Sequence, residues 1–190
     1  MPVPTEDIVW YLAIGSCMNE SRLRERVGAV GGMAHIDAGV LPAPVKLEGY
    51  YLTFHKKAQR GYGGYATLEE APAARGDPTA EGILFPLTAA AIAKLDVKEG
   101  IGMDPPHYRK VPDWDMLHPD YGNVKAVAYT HCGHVYEAGL LPRRDYLEHL
   151  CAAKGLSSTY ARWLAGHPVA EEPPDAPALL RRQSSEDSIW

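Results

Sequence analysis

Glu99 is the residue whose position promises most chemistry. It closes the run AAAIAKLDVKEG, in which Ile92 and Leu95 share one helical face, Thr88 stands at the N-cap and Gly100 is placed to end the helix. A carboxylate at a helix C-terminus meets the partial negative charge of the exposed carbonyls, and burial against a sheet would add desolvation. Both effects favour proton uptake, the property a general base needs at neutral pH. The plainer reading of the same spacing is a solvated carboxylate, with Lys98 serving the helix dipole.

Gly15-Ser16-Cys17 follows the apolar segment Ile8 to Ile14 and precedes ESRLRERV, a helix for which Asn19 is the cap. Backbone N–H groups at such a strand-to-helix turn converge on a small space that suits a carboxylate or a developing oxyanion, although a glycine that merely serves the turn would look the same. Cys17 near a helix N-terminus has the placement of an activated thiol, but no histidine is identifiable as its base, and a buried inert cysteine is commoner. The run Gly61-Tyr62-Gly63-Gly64 would let a ligand approach the backbone closely; it lacks the lysine of a phosphate loop and does not fit a dinucleotide fingerprint. His131, Cys132 and His134 are too few for a zinc site, and no second Cys/His pair stands at a usual spacing, so no metal is expected there.

The elements that must hold these residues are short. Ile8 to Ile14 reads as a buried strand. Met33 to His55 reads as extended segments, MAHIDAGV and VKLEGYYLTFH, broken at Pro42 and Pro44. YATL (65–68), EGILFPL (81–87), YRKV (108–111) and VKAVAYTHC (124–132) follow as further strands. Two helices close the sequence, one from about Arg143 to Lys154 ended by Gly155, the next capped by Ser157 or Ser158 and ended by Gly166. From residue 167 to 190 the composition turns proline-rich and acidic, which predicts a disordered or loosely docked tail after a single domain over 1–166.

The 190 residues carry 19 Lys and Arg against 24 Asp and Glu, a net charge of −5 that argues against a phosphate-neutralising surface and so against nucleic acid as partner. From His167 onward five acidic residues stand against two basic ones, so most of that charge belongs to the tail rather than to any cavity. No apolar run approaches the roughly 18 residues of a spanning helix, and the N-terminus lacks the basic flank of a signal peptide. Three cysteines at unmatched spacings fit free thiols. A cytoplasmic protein without a membrane partner is expected.

In their order, these pieces resemble the γ-glutamylcyclotransferase family. Residues 11–23, YLAIGSCMNESRL, look like the family's Y-F-A-Y-G-S-N-x-x-x-x-R-L; GGYATL (63–68) is similar to G-G-x-A-T-I; and the stretch from EGILFPL through LDVKEG to the strand at Tyr108 follows the family's G-V-x-Y-x-L, L-D-x-x-E-G and Y-x-x-x-x-V. AVAYT and the final helix pair match the family's closing strand and helices, so the likeness runs over about residues 8 to 166. The resemblance implies an α+β fold, a small mixed β-barrel flanked by helices. It implies Glu99 as the catalytic acid/base, with Tyr11, the backbone of Gly15, Ser16 and Cys17, Gly63 and Gly64, and Tyr129 at the substrate. Ile14 stands where the family has the second tyrosine of this motif, and Cys17 where it has asparagine.

The activity implied is attack by the α-amine of a γ-glutamyl group on its own γ-carbonyl, giving 5-oxoproline and a released amine or amino acid. No cofactor or metal is implied, and the partner is a small γ-glutamyl molecule. Two other readings remain beside it: a non-catalytic binder of a γ-glutamyl-like metabolite, suggested by Ile14 and Cys17, and a Cys17 thiol enzyme. The leaving group and the choice between monomer and homodimer are open at this stage.

Overall fold

The computed structural model of the chain describes residues 8–28, 32–58, 62–70 and 76–174. Strand β1 (Val9–Ala13) is buried from Trp10 to Ala13, and so belongs in the interior of a sheet. It pairs antiparallel with β5 (Ala80–Leu87) on one side and parallel with β7 (Gly122–His131) on the other. β2 (Ala43–Leu47) lies outside β5 and β6 (Tyr108–His118) outside β7, giving the order β2-β5-β1-β7-β6. β3 (Tyr50–Lys57) and β4 (Gly64–Glu70) form a separate antiparallel pair. The mixed sheet curls into a half-barrel with helices against it, the α+β architecture expected.

The helices begin where side chains replace missing backbone partners. Asn19 accepts from the N–H groups of Ser21 and Arg22 at the start of α1 (Glu20–Val27). After the short α2 (Ala34–Asp37), Thr88 accepts from Ala91 N–H at the start of α3 (Ala89–Lys98). α4 (Arg144–Cys151) precedes α5 (Ser158–Ala165), which Ser157 caps through Tyr160 N–H. Gly100, at φ +70°, takes the left-handed conformation that ends α3. Lys94 Nζ donates to the Val27 carbonyl at 2.8 Å, tying the end of α1 to α3.

Three expectations need correcting. MAHIDAGV is not extended: Ala34–Asp37 forms one helical turn, closed by bonds from Gly39 N–H to Ile36 O and from Val40 N–H to His35 O, with Gly39 at φ +95°. VKLEGYYLTFH is two strands of different sheets, separated by a turn at Glu48-Gly49, and Pro44 lies inside the edge strand β2, where no further strand needs its missing N–H. YRKV does not stop at Pro112, because a bulge between Val111 and Trp114 accommodates the proline on the edge strand β6, which continues to His118.

Of the tail, His167 packs its ring on Phe54 and Trp163, and Ala170 N–H donates to Pro142 O at 2.9 Å. The start of the segment is therefore docked; residues 175–190, on which the rest of that expectation falls, lie outside the described residues. Among the described residues no helix is long and apolar enough to cross a membrane.

Candidate active site

The chain leaves β1 at Gly15, and a cavity of about 220 Å³ opens there. Its wall takes Tyr11 from β1, Ser16 and Cys17 from the 3-10 turn Ser16–Met18, Arg26 from the last turn of α1 and Glu99 from the end of α3. Tyr65 from β4, Tyr108 from β6 and Tyr146 from α4 complete much of the remainder.

Glu99 is the C-cap residue of α3 and is only 9% exposed. Arg26 Nη1 donates to its Oε1 at 2.7 Å and also stands 3.7 Å from Cys17 Sγ. Arg26 suits the negative end of α1, and its guanidinium supplies Glu99 with the counter-charge that the end of α3 cannot. Among the described residues no hydrogen bond reaches Glu99 Oε2, so that oxygen is available to a proton donor in the cavity.

Burial pushes the Cys17 thiol up; the Arg26 charge works against that shift and the Glu99 charge adds to it. A thiol held above its ordinary value is protonated at neutral pH, which leaves the nucleophile reading without its thiolate.

The Tyr146 hydroxyl oxygen accepts from Ala66 N–H at 3.1 Å and lies beside the backbone of Ser16. With the Ala66 N–H bonded to its oxygen, the hydroxyl proton is left to donate elsewhere, and the side chain lines the cavity. Gly15 makes this contact possible: a Cβ at that position would lie 2.8 Å from the Tyr146 hydroxyl. The turn expected at the substrate thus stands beside Tyr146, whose hydroxyl adds a donor to the same wall.

The other expected residues divide. Tyr11, Gly15, Ser16, Cys17, Glu99 and Tyr129 all line the cavity. Tyr129, however, donates its hydroxyl to Asp96 Oδ1 at 2.7 Å, while Lys110 Nζ holds the other oxygen of Asp96 at 2.8 Å; the tyrosine offers the cavity its ring. Gly63 and Gly64 are not part of the wall. A Cβ on Gly64 would come within 1.6 Å of Phe54 O, and Gly63 at φ +80° packs on Leu141 and Arg143, so these glycines serve the close approach of β4 to its neighbours rather than a ligand. The wall begins one residue later, at Tyr65 and Ala66.

His131 and His134 do not converge: His131 Nδ1 bonds the Thr67 hydroxyl and its ring stacks on Tyr136, whereas His134 faces His107. Among the described residues no group of three or more His, Cys, Asp and Glu side chains is placed to hold a metal ion.

Sequence reasoning missed Arg26, Lys56 and Tyr146. Arg26 follows the buried Leu23 by three positions, the spacing of a shared helical face. Lys56 follows the buried Phe54 by two, the spacing of a shared strand face. Tyr146 precedes Leu147 and Leu150 on the buried side of α4, where a tyrosine reads as core.

No protein-family model matches the chain, and no curated protein matches it in sequence. Solved structures do. An uncharacterized protein from Homo sapiens superposes with a TM-score of 0.64 at 18% identity, over 92% of this chain and 99% of that one. A gamma-glutamyl cyclotransferase superposes with a TM-score of 0.66 at 16% identity, over 93% and 99%. The chain has the gamma-glutamyl cyclotransferase fold. YkqA from Bacillus subtilis shares it with a TM-score of 0.59 at 22% identity, over 86% of this chain and 56% of the longer YkqA chain. The cyclotransferase fold accounts for the order of the motifs: the turn after β1 and the acid after α3 are far apart in sequence, and this topology brings both to one cavity.

Proposed function

We propose that the chain is a γ-glutamyl cyclotransferase, an enzyme that closes a γ-glutamyl group into 5-oxoproline and releases the amine or amino acid it carried. The observation that carries this reading is Glu99: a nearly buried carboxylate facing the cavity of the Gly15–Cys17 turn, with one oxygen fixed by Arg26 and the other unbonded among the described residues.

A substrate ammonium beside Glu99 Oε2 passes a proton to the carboxylate and becomes a nucleophile. Its nitrogen forms the new C–N bond to the γ-carbonyl carbon; the electron pair of the C=O moves to oxygen, to which the Tyr146 hydroxyl at the cavity wall donates. Collapse of the tetrahedral intermediate breaks the original amide bond as Glu99 returns its proton to the departing nitrogen; the second proton of the new ring nitrogen then passes through the freed Glu99 carboxylate to the released amine, which leaves as an ammonium beside a neutral lactam N–H. Because attack is intramolecular, a wall that holds the γ-glutamyl chain curled supplies much of the acceleration. Arg26 remains charged throughout and fixes the geometry of the base. The reading includes a small-molecule substrate and a cytoplasmic setting, with which the free thiols of Cys17, Cys132 and Cys151 agree.

The test is incubation with γ-glutamyl-alanine and related conjugates, with 5-oxoproline followed by mass spectrometry. The expected result is time-dependent release, slowed about 10²- to 10⁴-fold in Glu99→Gln. Saturable binding of the conjugates with no product would sink the reading and leave a metabolite binder.

A further inference from the structure

Lys56 plays no part in the chemistry above, yet it is among the most deeply buried side chains of the protein, at 2% exposure, and it lines the same cavity. Its neighbour Lys57 faces outward and pairs with Glu137. The pairing of β3 with β4 shifts register between Thr53 and Lys56, and such a bulge re-aims the side chains that follow it. The Lys56 Nζ lies over the rings of Tyr108 and Tyr65, at 4.4 and 5.2 Å from their centroids.

The other cations of the wall with described pairs have acids of their own. Arg26 is bonded to Glu99, Arg143 to Asp145 and Arg22 to Glu25. Among the described residues no carboxylate and no hydrogen-bond acceptor reaches Lys56 Nζ; the two aromatic faces are its company. Glu99 and Arg26 are the charged groups whose fields it feels, and they act in opposite directions. A buried ammonium without a counter-ion is costly unless an anion completes it. The space in front of it is the substrate cavity.

Resting on the cyclotransferase reading for the identity of the substrate, we propose that Lys56 anchors a carboxylate of the substrate, so that the enzyme selects conjugates that are anionic at this position over neutral ones. Burial draws Lys56 down to about 8, with Glu99 opposing the shift, so the side chain is still largely protonated at neutral pH and able to bind an anion. The carboxylate has two possible sources on a γ-glutamyl amino acid. One is the α-carboxylate of the γ-glutamyl group and the other is the carboxylate of the released amino acid.

Three ligands without an α-amine, and therefore unable to cyclise, separate the cases. Glutaryl-alanine carries both carboxylates, glutaryl-ethylamide only the first, and butanoyl-alanine only the second. The intact protein, Lys56→Met and Lys56→Arg are titrated with each by calorimetry. Removal of a charge-assisted contact should weaken glutaryl-alanine binding about ten- to a hundredfold in Lys56→Met, with part of it retained in Lys56→Arg. Whichever single-carboxylate ligand suffers the same loss identifies the source. Equal affinity of wild type and Lys56→Met for glutaryl-alanine, or no binding of it by wild type, overturns the proposal. A parallel assay for 5-oxoproline tests the reading beneath it: Lys56-dependent binding without 5-oxoproline leaves the anchor and removes the cyclotransferase, and 5-oxoproline with Lys56-independent binding does the reverse. Lys56→Arg keeps the charge, so a folding defect of the methionine variant would not by itself imitate the result.

Discussion

Arg26 Nη1 and Glu99 Oε1 are bonded at 2.7 Å, joining the last turn of α1 to the end of α3. The two partners are not equally enclosed: the Arg26 side chain is 28% exposed and that of Glu99 9%. Removing the cation therefore leaves the more buried charge unpaired. Arg26→Met should destabilise the protein by roughly 3 kcal/mol, and Glu99→Gln by clearly less. The double variant should recover much of the Arg26→Met loss, because no buried charge is then orphaned, while remaining inactive. Urea denaturation of the four proteins checks this, and equal, additive losses would show that the pair is not energetically coupled.

On activity, the same pair predicts a division of labour. Glu99→Gln removes the proton acceptor and should lower kcat on γ-glutamyl conjugates by about 10²- to 10⁴-fold. Arg26→Lys keeps a charge but gives up the planar guanidinium that reaches both Glu99 and Cys17, so it should retain more activity than Glu99→Gln and less than wild type. Steady-state kinetics rank the three.

Gly15 and Tyr146 predict a steric test. A Cβ on residue 15 would lie 2.8 Å from the Tyr146 hydroxyl, closer than real contacts allow, and would press the tyrosine away from the Ala66 amide. Gly15→Ala should cost about 1–3 kcal/mol and lower kcat/KM. Tyr146→Phe relieves the clash but lacks the donor. In the double variant stability should therefore return while kcat stays low, and recovery of both would remove Tyr146 from the chemistry.

What the sequence made legible here was local. Asn19, Thr88 and Ser157 announce helix starts because each cap works within three residues of itself. The turn after β1 and the glycine after Glu99 likewise follow from short-range backbone demands. Hence Gly15, Cys17 and Glu99 were found and could be assigned to one cavity through a resemblance, although nothing in their spacing says that they meet. Gly63 and Gly64 misled because a glycine that admits a ligand and one that admits a neighbouring strand look alike; the distance from Gly64 to Phe54 O decides, and it is a tertiary quantity. Arg26 and Lys56 lie in charged runs, RERV and HKKA, where the ordinary expectation is solvent. Their burial goes with the faces they share with Leu23 and Phe54, a spacing signal that the charged composition of these runs masks.

Cys17 predicts a negative outcome. Its thiol is buried, and burial raises it above the ordinary value. Cys17→Ala should keep turnover within about threefold of wild type, since no covalent step uses the sulfur. Alkylation by iodoacetamide should proceed first at the exposed Cys151 and leave Cys17 slow at neutral pH. Loss of more than about 10³-fold in kcat on Cys17→Ala, with the fold intact, would restore the nucleophile reading.

Lys56 predicts the pH dependence of stability, and its sign runs opposite to that of a salt-bridged lysine. Burial lowers the folded-state value to about 8 from the 10.5 of an unperturbed lysine, with Glu99 opposing the shift and Arg26 adding to it. Between those two pH values the unfolded chain holds a proton that the folded protein has released, so this group makes stability rise with pH across that window. Below pH 8 the charge is carried in both states and the burial cost is felt in full, on the order of 3 kcal/mol. Lys56→Met never carries that charge. Its stability advantage over wild type should accordingly be largest at pH 7 and shrink steadily toward pH 10. His107 and His131, which feel the Lys56 charge, are themselves held low by burial and titrate below this window. Urea denaturation of both proteins at pH 7, 8.5 and 10 reads the difference directly; parallel curves would mean that the ammonium already has a partner that satisfies it, and the case for an incoming carboxylate would fall with that result.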